Sequence, residues 1–165
     1  MIITDKDRLR TECKDVSLFQ AQNIILQLEA ELNKAGNGIG LAAPQIDINA
    51  KVCILKINKL VSLVNPVIVE SFDLMEFHHE GCLSFPGQFV NTKRFNEVMV
   101  KDDIHPNGVV FTGLEAIVAQ HEIGHLYGEL MFDYEIKIPL RNEKCWCGSD
   151  RKYKRCHSGK EIKNG

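Results

Sequence analysis

The chain has 165 residues, 44% of them hydrophobic and 25% charged, with a formal net charge of −2. That length and composition fit one globular domain with room for a small appendage. No apolar run approaches the ~18 residues of a transmembrane helix, and the opening Met1-Ile2-Ile3-Thr4-Asp5-Lys6-Asp7-Arg8 turns charged at once. A membrane span and a secretory leader are therefore not expected, and a cytoplasmic location is.

The small net charge conceals an asymmetry. Residues 1–136 carry 11 Lys/Arg against 19 Asp/Glu, a net of −8, whereas residues 137–165 carry 9 against 3, a net of +6. Of six cysteines, Cys145, Cys147 and Cys156 crowd together while Cys13, Cys53 and Cys82 are scattered. In a reducing compartment such clustering favours metal binding over cross-linking.

Along the chain, Leu18, Ala21, Ile25, Leu28 and Leu32 follow 3/4 spacing and predict an amphipathic helix over 16–35. Asp15 or Ser17 stands at its capping position and Gly36 at its stop. Residues 36–40 form a glycine-rich loop. Val52–Ile57, Leu60–Val64 and Val67–Glu70 read as strands, the last two separated by Asn65-Pro66. Val98–Lys101 and Val109–Phe111 read as a hairpin around His105-Pro106-Asn107-Gly108. Thr112-Gly113-Leu114-Glu115 has the pattern of a capping box, opening a helix that runs to about Tyr127 and stops at Gly128. The pattern is α+β: a compact domain over 1–140, then a basic module over 141–165.

The second helix carries His121-Glu122-Ile123-Gly124-His125. Positions i and i+4 share a helix face roughly 6 Å apart, close enough for two imidazoles to grip one ion. The carboxylate between them suits work on a metal-bound water, so the pentad points to a metal-dependent hydrolase. Two residues compete as third ligand. Glu143 lies 18 residues past His125, a spacing used by zinc peptidases. Upstream, Cys82 sits in Glu80-Gly81-Cys82-Leu83-Ser84, where its thiolate could complete a Cys/His/His site with a position open for water.

Three motifs in order resemble those of the peptide deformylases. Gly38-Ile39-Gly40-Leu41-Ala42-Ala43-Pro44-Gln45 is similar to GxGxAAxQ, Glu80-Gly81-Cys82-Leu83-Ser84 to EGCLS, and Gln120 through Gly128 to QHExDHLxG except at one position. The similarity spans residues 1–138. It implies antiparallel or mixed sheets around a central helix, and a metallohydrolase that removes the N-terminal formyl group from formyl-methionyl peptides of new proteins. By resemblance, Cys82, His121 and His125 hold a catalytic Fe²⁺, replaceable by Zn²⁺, Ni²⁺ or Co²⁺. A metal-bound water would attack the formyl carbon, with Glu122 as general base and then acid. Gln45 and the Leu83 backbone N–H would steady the oxyanion. Gly38 and Gly40 would line the peptide path, and Ile39, Leu114, Ile117 and Val118 the methionine pocket.

Two positions depart from the pattern. Gly124 replaces an Asp for which Arg94 is the expected partner, with Glu97 or Glu80 as compensating carboxylates; restoring Asp is expected to raise activity or metal retention. Phe89 stands where many members have a basic residue. In the tail, Cys145-Trp146-Cys147, then eight intervening residues, then Cys156-His157 resembles the SEC-C motif at the C-terminus of the SecA translocation ATPase. The resemblance implies a closed structural Zn²⁺ site of three thiolates and one imidazole. In SecA the equivalent tail contacts an acidic chaperone, so a ribosome or chaperone contact is a further expectation; specific DNA binding is not. The alternatives are a weakly active homologue acting as a binding protein through its tail, and an HExxH zinc peptidase using Glu143.

Overall fold

The computed structural model describes residues 1–162. A short helix α1 (Lys6–Leu9) and a long helix α2 (Leu18–Ala35) lead into strands β1 (Gly40–Ala42), β2 (Val52–Lys56) and β3 (Leu60–Val64). These three strands pair antiparallel in the order β1-β2-β3. Strands β4 (Val67–Gly81), β5 (Phe89–Lys101) and β6 (Val109–Thr112) form a second antiparallel sheet, followed by helix α3 (Leu114–Leu126). The expected α+β architecture is what the chain adopts, with α3 against both sheets.

Helix α2 starts where Ser17, not Asp15, caps it: the Ser17 hydroxyl accepts from Gln20 N while the Gln20 side chain accepts from Ser17 N. This reciprocal pairing satisfies two backbone donors that the first turn would leave open. The buried stripe is Ala21, Ile24, Leu28 and Leu32; Leu18 faces solvent and Ile25 is half-buried. It packs on Leu41, Val52, Ile54 and Val64 of the first sheet. The other face of that sheet, through Ala42, Cys53, Leu55 and Leu63, meets Val98, Val100, Phe111 and the α3 residues Ala116, Val118, Ala119 and Ile123. Helix α3 is thus buried almost all round, as a central helix between layers must be.

Two local expectations need correction. The capping box at 112–115 does not form: Thr112 ends β6, Gly113 occupies the N-cap at φ 58°, and no side chain caps α3. Glu115 instead accepts from Asn58 Nδ2 at 2.9 Å. A left-handed N-cap suits glycine, and it turns the chain from strand to helix without a cap bond. The glycine-rich segment 36–40 is likewise not wholly loop, since Gly40 starts β1 and pairs with Leu55. The strand read at Val67–Glu70 continues to Gly81, and its partner begins at Phe89 rather than Val98. Register shifts at Ile68/Glu70 and Phe77/Glu80, with Asp73 and His79 at positive φ, break the alternation that would have announced this long pair.

Candidate metal centre

The second shift, at His79, bends β4 just before Glu80-Gly81-Cys82 and delivers Cys82 beneath α3. A turn closed by Phe85 N donating to Cys82 O at 2.9 Å holds it there. Helix α3 is pinned in return by Gln120, whose side chain accepts from Phe95 N at 3.0 Å and donates to Phe95 O at 2.8 Å. Between these anchors the Cys82 Sγ lies 3.3 Å from His125 Nε2, which lies 3.2 Å from His121 Nε2. All three donor atoms fall within 4.8 Å of one another. Glu143 is not among them: its carboxylate accepts from Leu140 N at 2.8 Å on an exposed turn, which removes it as third ligand.

The donor set fits a divalent metal ion. Burial, followed by the charges of His121 and Arg94, depresses His125, which favours the neutral ring a metal needs. Burial would lower His121 too, but its hydrogen bonds with Cys82 and Glu80 override that and raise it, so a bound ion would displace its proton. The other nitrogen of His121, Nδ1, is 2.7 Å from Glu80 Oε1. Glu80 also accepts two bonds from Arg94, at 2.9 and 2.6 Å, and one from Thr92 at 2.5 Å. Thr92 and Arg94 alternate on β5 and so face the same side. Burial would raise the Glu80 carboxyl, but the His121 and Arg94 hydrogen bonds override it and hold the group well below the usual carboxylate range. A carboxylate so held fixes the tautomer and orientation of a ligating imidazole. Arg94 was the partner expected for an acidic residue at 124; it pairs with Glu80, and Tyr134 lies over it at 4.1 Å.

Glu122 is buried, and its Oε2 has no hydrogen-bond partner among the described residues. Burial pushes its carboxyl up to about 7; the charge of His121 opposes the rise and that of Glu80 adds to it. A buried carboxylate without a partner is costly, and its place beside a three-donor cluster makes Glu122 a candidate for proton transfer. Gly40 explains how it fits: a Cβ at that position would lie 2.5 Å from Glu122 Oε1 and 2.8 Å from Val118 Cγ1. Gly38 is as crowded, its added Cβ meeting Leu32 Cδ1 at 2.5 Å. The glycines of the first motif thus admit the Glu122 carboxylate and the approach of α2. Gln45 sits on the one-turn helix Ala43–Ile46, which carries Pro44 in its first turn; its Oε1 accepts from Ala42 N at 2.9 Å. That leaves its Nε2 donating to Ser84 Oγ at 3.1 Å and facing Cys82 Sγ at 3.5 Å.

A cavity of about 450 Å³ opens beside the cluster, lined by Gly38, Ile39, Gly40, Gln45, Leu83, Leu114, Ile117, Val118, His121 and Glu122. It thus gathers the predicted peptide-path and side-chain residues with the predicted chemistry. Phe77, from the unforeseen half of β4, and Phe89, from the start of β5, complete the wall and rim. The register shifts hid the first.

The family model for polypeptide deformylase matches residues 1–139, and the SEC-C motif matches residues 141–159. This chain belongs to the polypeptide deformylase family. Peptide deformylase 2 of Vibrio vulnificus is 36% identical over 142 residues, covering 81% of this chain and 84% of the relative. Peptide deformylase 1 of Pseudomonas syringae pv. tomato is 37% identical over 137 residues, covering 77% and 80%. Among solved structures, a peptide deformylase from Legionella pneumophila superposes with a TM-score of 0.74 at 34% identity, covering 82% of this chain and 85% of that one. One from Synechococcus elongatus in complex with actinonin gives 0.74 at 34% identity, covering 83% and 78%. The activity is therefore hydrolytic removal of a peptide's N-terminal formyl group by a metal-dependent enzyme, and neither a purely binding role nor an HExxH peptidase is supported.

The tail forms a second cluster. Cys145, Cys147, Cys156 and His157 place their donor atoms within 4.8 Å of one another. His157 Nδ1 is 3.2 Å from Cys145 Sγ and 3.3 Å from Cys156 Sγ. The Ser149 hydroxyl pulls the Cys147 thiol down, which favours the thiolate a metal needs.

Proposed function

We propose that Cys82, His121 and His125 hold the catalytic ion, Fe²⁺ in the cell with Zn²⁺, Ni²⁺ or Co²⁺ as substitutes, and that the substrates are formyl-methionyl nascent peptides. The observation that carries this reading is an unpartnered, buried Glu122 carboxylate beside a three-donor cluster on a cavity wall. When bound, the ion supplies Lewis-acid polarisation and lowers the pKa of water. Glu122 takes the proton of the attacking water and passes it to the departing amine; its raised pKa suits both halves of that transfer. Gln45 Nε2 and the Leu83 N–H, which donates to no group among the described residues, face the developing oxyanion. Gly38 and Gly40 run beside the peptide. Ile39, Leu114, Ile117 and Val118, with Phe77, take the methionine side chain.

The test is formate release from formyl-Met-Ala-Ser by protein loaded with Fe²⁺ or Ni²⁺ under reducing conditions. Activity that survives Cys82→Ala would overturn the ligand assignment. In the tail we assign Zn²⁺ to Cys145, Cys147, Cys156 and His157, whose four soft or borderline donors leave no place for water. Residues 141–165 form this zinc module, of which 163–165 lie outside the described residues. No described helix is long and apolar enough to cross a membrane, and the free thiols suit the cytoplasm. Exposed Arg141, Lys152, Lys154 and Arg155 support docking on an anionic surface such as a ribosome or an acidic chaperone. Co-sedimentation with ribosomes should weaken on charge reversal of Lys152, Lys154 and Arg155; no change at moderate salt removes the ribosomal version.

A further inference from the structure

The tail does not hang free of the catalytic body. Strand β4 is the open edge of its sheet, and residues 160–162 lie along it: Glu76 pairs with Glu161 in a parallel bridge, and Ile162 N donates to Glu76 O at 2.8 Å. The Glu76 side chain is 1% exposed, and the tail satisfies both its oxygens. Trp146 Nε1 donates to Oε1 at 2.5 Å and Tyr153 OH to Oε2 at 2.8 Å. His157 turns its Nδ1 to the thiols and its Nε2 to Leu74 O of β4, 3.0 Å away. A ligand imidazole whose second nitrogen bonds the catalytic body ties the module's metal to β4.

This docking ends at the substrate cavity. Ile162, 5% exposed, packs in one buried cluster with Phe77 and Ile117, flanked by Met75 and Leu114. Phe77, Leu114 and Ile117 line the cavity beside the metal ligands. Ile162 therefore stands behind the wall against which we place the methionine side chain. We propose that Ile162 is a positioning residue for substrate selection: it braces Phe77 and Ile117 and so sets the depth of the pocket for the first side chain. The loaded Cys145/Cys147/Cys156/His157 module holds it there. A segment this short has too little core to order itself, so metal binding supplies the order. Selection at one end of the chain then depends on metal and thiol state at the other. The inference rests on the reading of Leu114, Ile117 and Val118 as the side-chain pocket.

The experiment compares the full chain with Ile162→Ala, Ile162→Val, Cys147→Ser and Ile117→Ala, each loaded with Ni²⁺ at the catalytic site. It measures kcat and KM on formyl-Met-Ala-Ser and on the bulkier formyl-Phe-Ala-Ser. Ile162→Ala should raise KM for the Met peptide about 3- to 10-fold with kcat within about two-fold, and shift preference toward Phe. This is below the ~10–200-fold of a methylene that touches substrate, because Ile162 acts only through Phe77 and Ile117. Ile162→Val should shift preference in the same direction by about two-fold, and carries the test if the alanine variant does not fold. Cys147→Ser should lose one equivalent of zinc, change the emission of Trp146, the chain's one tryptophan, and shift preference in the same direction. If Ile117→Ala alters preference while the Ile162 and Cys147 variants do not, the inference falls and the pocket reading stands. A preference untouched by Ile117→Ala brings down the pocket reading itself. A uniform fall in kcat on both peptides in the Ile162 variants shows a merely structural role and also overturns the proposal.

Discussion

The chain carries two cysteine–histidine clusters built to opposite ends. Around Cys82, three donor atoms converge, those of Cys82 and His121 at the wall of a cavity, beside a buried carboxylate whose Oε2 has no partner among the described residues. Around Cys145, four donors close on one another, and their neighbours are a tryptophan ring and a strand backbone. Three donors beside a cavity suit an ion with a position left for water, whereas four converging donors suit a closed structural ion. The same residue types thus yield chemistry or structure according to how many converge and what surrounds them.

The contrast breaks most completely at Cys82. Cys82→Ala should reduce deformylation to background and lower catalytic-metal content, while tail zinc stays at one equivalent; Glu143→Ala should change neither. Elemental analysis with formate release checks both. Glu122→Gln sharpens the distinction between holding metal and moving protons. It should cost about 10²–10⁴-fold in kcat while metal content is retained, because Glu122 is not among the donors. Glu80→Gln comes next, with metal affinity falling about 10–100-fold, measured by competition with a chelator. Its unfolding temperature should fall too, since Arg94 would be left buried against a neutral partner.

Legibility followed the length scale of the signal. The three motifs are short and contiguous, and the fold brings Gln45, Cys82, His121, Glu122 and His125 to one place. The helix α2 stripe was legible within one position, with Ile24 taking the inward place expected of Ile25. What failed was anything requiring a partner distant in sequence. The 15-residue strand β4 mixes exposed Phe72 with buried Glu76, because one face meets the tail and two bulges reverse the alternation. No periodicity survives that, so Phe77 went unseen as a pocket wall. The buried Glu76 was equally invisible, since its partners Trp146 and Tyr153 lie 70 and 77 positions away.

Gly124 offers the finest test of what surrounds a metal centre. A Cβ there would meet Glu129 Cβ at 3.6 Å and Oε2 at 3.7 Å, ordinary contacts, so the position has space. The anticipated compensation by Glu97 is absent, as that residue sits across β5 facing Phe72 and Thr112 in register. Glu80 does hold Arg94, and Glu129 accepts from Tyr134 OH at 2.5 Å while the Tyr134 ring covers Arg94. A negative charge thus already stands beside the place where an Asp at 124 would put its own. Gly124→Ala should therefore stabilise by about 1 kcal/mol through helix propensity alone, raising the unfolding temperature by about 2–4 °C. Gly124→Asp should gain less, because two carboxylates would face one another across ~4 Å. Combined with Glu129→Gln, the Asp should regain its benefit in metal retention. A cycle of the two single variants and the double variant, read as nickel retained after dialysis, should show positive coupling; additivity would mean Glu129 plays no part.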